Sequence, residues 1–180
     1  MAYIHIVAVG RVDRDVLDYL AATLPDDLGI RCVVSLHTLD PALSYNATRQ
    51  QYHSTQILAR LLELPAGAGD KTLGVCDVDL FIPILTFVFG EAQLNNRAAL
   101  ISVHRLRQSF YGLPADERLF YERSEKEAVH ELGHAFGLIH CQRYECVMHF
   151  SNSIEQVDLK QNSFCETCSG LVAKSLAKAG

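Results

Sequence analysis

The stretch His130-Glu131-Leu132-Gly133-His134-Ala135-Phe136-Gly137-Leu138-Ile139-His140-Cys141 constrains this chain more than any other. His130 and His134 are four residues apart, so on an α-helix their imidazoles lie one turn above the other on one face and can grip one ion. Glu131, next to the first of them, can reach a water at that ion. Gly137 lies three residues past His134, where a residue without a Cβ lets the helix stop in a left-handed turn and the chain swing back. His140 then closes the site as a third ligand. Three neutral imidazoles leave the fourth tetrahedral position to water, which distinguishes a catalytic zinc from a closed structural one. The alternative is a surface helix with scattered histidines.

Cysteines follow at metal-site spacing. Cys141-x4-Cys146 and Cys165-x2-Cys168 provide four thiolates, enough for a closed tetrahedral zinc with no position for water. Six cysteines in all would otherwise suggest a disulfide framework, but nothing in the chain points to export. In small metal-dependent units such a zinc contributes on the order of 10 kcal/mol to folding. Because Cys141 adjoins His140, it would also fix the third histidine. Cys32 and Cys76 fall within apolar runs, as buried thiols acting as small hydrophobes or as a disulfide that would need an oxidising compartment.

HExxHxxGxxH followed by a methionine is the pattern of the metzincin zinc peptidases, and Met148, the one methionine after the initiator, lies eight residues past His140. With Cys141 directly after the third histidine, then Cys146-Val147-Met148 and Cys165-Glu166-Thr167-Cys168, the chain resembles the archaemetzincin branch. These motifs span roughly residues 124 to 168.

The resemblance implies a zinc metallopeptidase, with His130, His134 and His140 on a catalytic zinc, Glu131 as general base, and Met148 as a hydrophobic floor beneath the histidines. It implies a second, structural zinc on Cys141, Cys146, Cys165 and Cys168. It also implies that residues 84–90 form an antiparallel edge strand along which a peptide or protein substrate pairs through its main chain; plain core packing is the other account of that Phe-rich run. Some metzincins place a tyrosine just after the methionine to assist the oxyanion. Here His149-Phe150 stand there, His149 either facing solvent or donating a hydrogen bond. Two rival functions remain: a non-catalytic zinc-binding interaction domain, against which Glu131 stands, and an enzyme restricted to peptide ends.

A chain of 180 residues, 49% hydrophobic, suffices for one domain with a substantial core. A net charge of −5 with no basic run argues against nucleic-acid or anionic-membrane partners. No stretch is long and apolar enough to span a bilayer, and residues 1–10 read as a first strand rather than a signal peptide. A cytoplasmic monomer is expected.

Strands are expected at 3–9, 31–36, 71–78, 80–90 and 98–104, with Pro83 confining the fourth to a sheet edge. Helices are expected from Asp13 to a stop at Pro25, at 48–63, from a Ser124-x-x-Glu127 capping box through the histidines, and at 169–178 with Leu171, Val172 and Leu176 inward. In the third, Val129, Leu132 and Phe136 form a buried face, and Gly133 admits either close backbone packing or a catalytic role. The fold class is α/β (α+β): a mixed, mostly parallel sheet with an antiparallel edge strand and flanking helices. It divides into an N-terminal lobe, 1–137, and a small zinc-stabilised C-terminal lobe, 138–180.

Overall fold

A computed structural model describes residues 2–179. Strands β1 (Tyr3–Val9), β2 (Arg31–Leu39), β5 (Lys71–Cys76), β7 (Gly90–Ala92) and β8 (Ala98–Ser102) make a five-stranded sheet in the order β2-β1-β5-β8-β7. The first four in that order run parallel, and β7 is antiparallel to β8 at the edge. A parallel sheet covered on both faces has near-continuous apolar strands, and β8 is buried at every residue. Alternation sorts the side chains: Ile4, Ile6, Leu73, Val75, Ala99 and Ile101 meet helices α1 (Arg14–Leu28) and α3 (Glu117–Ala135), while Val7, Val9, Cys76 and Leu100 meet α2 (Ser54–Leu61). The expected mixed sheet with flanking helices is therefore what forms.

Several boundaries differ from the sequence reading. Helix α1 is capped by Asp13 as expected but runs through Pro25 to Leu28, where Gly29 closes it onto the Pro25 carbonyl. Proline in the last turn costs one backbone bond, and burial of Leu24 and Leu28 offsets it. The helix expected over 48–63 forms only at 54–61, because Gln51–His53 become strand β4, which pairs with β3 (Tyr45–Asn46) and β6 (Leu80–Phe81) in a second small sheet.

The edge strand is Gly90–Ala92 rather than 84–90. Residues 82–89 instead fold into an irregular wall in which the Leu85 and Thr86 carbonyls accept from side chains and only the Phe89 carbonyl reaches the sheet, accepting from the Ser102 N–H. Arg49 donates to the Leu85 and Thr86 carbonyls at 2.7 and 3.0 Å, and Gln51 donates to Thr86 at 3.0 Å. Arg105, bidentate on Asp79, lies over the Phe87 ring.

Helix α3 begins at Glu117, capped by Asp116, and not at Ser124. Ser124 turns its hydroxyl back onto the Phe120 carbonyl in mid-helix. From residue 123 the helix is largely buried despite its polar composition, because most of its charges there have partners: Arg123 pairs with Asp158, Lys126 with Glu122, Glu127 with Lys160, and Glu125 accepts from Tyr19 and Asn162. Beyond it lie α4 (Ile154–Leu159) and α5 (Glu166–Ala179). Helix α5 starts three residues earlier than expected, with Val172 buried, Leu176 packed against the core and Leu171 facing solvent. Cys32 and Cys76 are free thiols, Cys76 buried and Cys32 half-buried. No helix among the described residues is long and apolar enough to cross a membrane.

Glu125 links α1 to α3, accepting from Tyr19 Oη at 2.5 Å. Facing it, Asp27 has a buried oxygen with no hydrogen-bond partner among the described residues. Burial first, then Glu125, push the Asp27 carboxyl up to about 7. Two facing carboxyls with no donor between them are held best when one keeps its proton. The folded chain thus binds that proton more tightly than the unfolded one, and this contribution to stability, complete near pH 4, is lost as pH rises toward about 7. Asp27→Asn should raise the melting temperature relative to the parent at pH 8, with the gap closing by about pH 4. A gap that is constant across the pH range would refute the assignment.

Candidate active site

Helix α3 presents its functional face to a cleft of about 780 Å³ between the irregular wall 82–89, strand β7 and the segment around Phe150. His130 Nδ1 donates to the Val147 carbonyl at 2.8 Å, and His134 Nδ1 donates to the Leu138 carbonyl at 2.7 Å. A carbonyl can only accept, so both rings carry their proton on Nδ1 and turn a bare Nε2 lone pair inward. Those Nε2 atoms are 3.2 Å apart, and the Nε2 of His140 is 3.2 Å from that of His134. Lone pairs so close repel unless a cation lies between them. Tetrahedral zinc with Zn–N bonds of about 2.0–2.1 Å sets ligand nitrogens about 3.3 Å apart, so the donor set fits zinc by distance and by protonation. Burial lowers all three imidazoles below their ordinary pKa, His130 furthest, and keeps them in the ligand form.

The local fold follows from the sequence spacing. The helix ends at Ala135, Gly137 adopts φ +96° while its N–H bonds the His134 carbonyl, and the chain returns His140 to the site. Met148 is fully buried under α3, and a Cβ on Gly133 would lie 2.3 Å from its sulfur, so close packing explains that glycine.

Glu131 is buried beside the histidines, its carboxyl raised well above the usual range by burial first and Glu127 second. Its side chain occupies the space a Cβ on Gly90 would need: that atom would fall 2.6 Å from Glu131 Cγ and 2.7 Å from the Leu100 carbonyl oxygen. The edge strand and the acidic residue are thereby fitted to each other. Gly90→Ala should displace the Glu131 carboxylate and lower kcat/KM on a peptide about a hundredfold, the usual cost of a misplacement near 1 Å. Activity within about threefold of the parent in a folded protein would remove this constraint.

Cys141, Cys146, Cys165 and Cys168 bring their sulfurs together at the start of α5, the Cys141 and Cys165 sulfurs 3.9 Å apart. Four thiolates at about 2.3 Å from zinc would stand about 3.8 Å from one another. The Cys168 backbone N–H is the main cause that draws the Cys165 thiol down to about 7.

A family model for peptidase family M54 matches residues 15–174. The archaemetzincin of Methanocaldococcus jannaschii is 44% identical over 165 residues, 92% of this chain and 89% of that protein. The chain belongs to the archaemetzincin family of zinc metallopeptidases. The solved archaemetzincin structure from Archaeoglobus fulgidus superposes with a TM-score of 0.81 at 42% identity, covering 94% of this chain and 99% of that one. The corresponding values for Methanopyrus kandleri archaemetzincin are 0.84 and 35%, with 97% and 95% covered.

Four features of this archaemetzincin-family site were not assigned from sequence. Gly90 had no signal beyond a glycine ending an apolar run. Glu91, on the same strand, lines the cleft and accepts from Ser54 and Thr55. Glu127 was visible as a residue four before Glu131 on one helix face, but Lys160, its buried partner, lies in a polar stretch with nothing to mark it. His149 donates a hydrogen bond, but to the Cys141 carbonyl at 2.9 Å and not into the cleft, and its half-buried ring packs on Tyr144. Phe150 takes the place beside His140.

Proposed function

We propose that the chain hydrolyses peptide bonds in this cleft, with His130, His134 and His140 holding a catalytic zinc and Cys141, Cys146, Cys165 and Cys168 a structural one. Zinc, when bound to three imidazoles, acidifies a water and polarises a carbonyl. Glu131 takes the proton of the attacking water on its carboxylate and hands it to the nitrogen of the departing amine. His130 and His134, fixed by the Val147 and Leu138 carbonyls, hold that centre with His140 in the cleft that Glu131 also lines. An extended substrate lies along Gly90–Ala92, where main-chain pairing places a peptide carbonyl beside Glu131, and the apolar wall from Ile82 to Phe89 excludes water above it.

The observation that carries this reading is the fit of Glu131 against Gly90. It sets the Glu131 carboxylate against the edge strand, in the cleft that the three histidines also line. The test is zinc content together with digestion of a peptide library read by mass spectrometry. Two zincs per chain and cuts that vanish on chelation and return with zinc are expected. A zinc-replete chain that cuts no peptide would overturn the reading.

A further inference from the structure

The inner wall of the cleft carries a charged corner that the hydrolytic chemistry does not use. Lys160 is only 3% exposed and lines the cleft, its ammonium bonded to Glu127 Oε1 at 3.3 Å and to the His149 carbonyl at 3.4 Å. Both contacts are longer than the usual 2.7–3.2 Å of an N–H···O bond, and an ammonium has three N–H groups to place. Ser151, which lines the same cleft, has a buried hydroxyl with no hydrogen-bond partner among the described residues. Two under-satisfied donors facing one cavity lack an acceptor. Glu127 does not remove the need. It supplies the counter-charge without which a buried ammonium would not stay in the wall, and it leaves a third N–H unmet.

Position relates this corner to the reaction. Glu127 precedes Glu131 by four residues on one helix face, about 6 Å along the axis. In the proposed reaction Glu131 protonates the departing nitrogen, so the residue that carries this nitrogen lies over Glu131, with the Lys160 corner one helical turn further on. A short acidic side chain on that residue spans the distance, and so does its own α-carboxylate when it ends the peptide.

We infer that Lys160, positioned by Glu127 and joined by Ser151, forms a carboxylate-binding subsite for the residue immediately after the scissile bond. This rests on the peptidase reading of the same site. A carboxylate there gives Lys160 a short charge-assisted bond and Ser151 an acceptor, whereas an amide or a cationic side chain leaves the ammonium with its long contacts.

The test compares zinc-loaded chain on matched peptides that differ only after the cut: glutamate against glutamine or lysine at an internal position, and a free against an amidated C-terminus one residue beyond it. Calorimetry of the same peptides on the Glu131→Gln chain reads binding without turnover. At least tenfold preference for the carboxylate is expected, in kcat/KM and in Kd alike, from a charge-assisted hydrogen bond. The two arms tell a side chain from a terminus. Removing Lys160 alone would strand Glu127, so the informative variant is the double change Glu127→Gln with Lys160→Met, which leaves no unpaired buried charge. Its preference ratio should fall to about one. Equal handling of glutamate and glutamine, and of free and amidated ends, by the parent chain would overturn the inference, as would a preference that survives the double change. A Kd preference with no cleavage of any peptide would support the subsite and sink the peptidase reading instead, and cleavage without preference would do the reverse.

Discussion

Glu131→Gln is expected to lower kcat on any cleaved peptide by roughly a hundred- to ten-thousand-fold, the range removed with a positioned general base. The amide keeps the shape that fills the space against Gly90 but accepts no proton from water and returns none to the leaving nitrogen. It also removes a carboxyl that is 6% exposed and has no hydrogen-bond donor among the described residues, so stability should not fall. His130 and His134 are oriented by backbone carbonyls, and none of the three imidazoles bonds Glu131 among the described residues, so zinc content should be unchanged. Loss of turnover with unaltered melting temperature and metal content is thus the expected pattern, read by steady-state kinetics, thermal unfolding and elemental analysis. A glutamine variant that keeps more than about a tenth of kcat would exclude Glu131 as the base. If the glutamine variant and the parent served equally in every assay, the non-catalytic, zinc-binding interpretation would be the better one.

Legibility of the site in the sequence depended on whether a residue's partner was near in the chain. His130, Glu131 and His134 share one helix face by spacing, and Gly137 is followed by His140 through one turn, so local geometry alone brings them together. The cysteines come together across a longer gap, but their paired spacing carries its own chemistry. The edge strand failed for a different reason. Residues 84–90 have the composition of a strand, yet the carbonyls of Leu85 and Thr86 are taken by Arg49 and Gln51, more than thirty residues away, and pairing begins only at Gly90. The start of α3 was misplaced because Ser124-x-x-Glu127 suits a capping box as well as a mid-helix turn; Glu127 bonds Lys160, a tertiary contact no local pattern encodes. Polar residues 123–127 give no hint of burial from periodicity, since their partners Asp158 and Lys160 arrive from α4 and the residue after it.

Cys165→Ser with Cys168→Ser is expected to cost both stability and catalysis, although neither residue touches the cleft. Their sulfurs join α5 to Cys141 and Cys146, and the backbone N–H of Cys165 lies 3.3 Å from Cys146 sulfur. A structural zinc contributes on the order of 10 kcal/mol in small metal-dependent folds, comparable to the whole stability of a domain, about 5–15 kcal/mol. Apolar burial by α5 is small beside that: among the described residues Cys168 and Val172 are its buried hydrophobic ones, with Leu176 only packed against the core. Without the metal, α5 should detach. Cys141 would then lose its anchor, and with it the adjacent His140, which is the exposed member of the histidine trio and has no carbonyl among the described residues to orient its ring. Catalytic zinc should therefore bind more weakly in the double variant, through a path that runs along the backbone from residue 141 to residue 140. Hydrogen exchange should show α5 unprotected while β1, β5 and β8 stay protected, and excess zinc should restore part of the activity by mass action on the weakened histidine site. Full activity at stoichiometric zinc, with α5 still protected, would mean that the thiolates support neither the helix nor the third histidine.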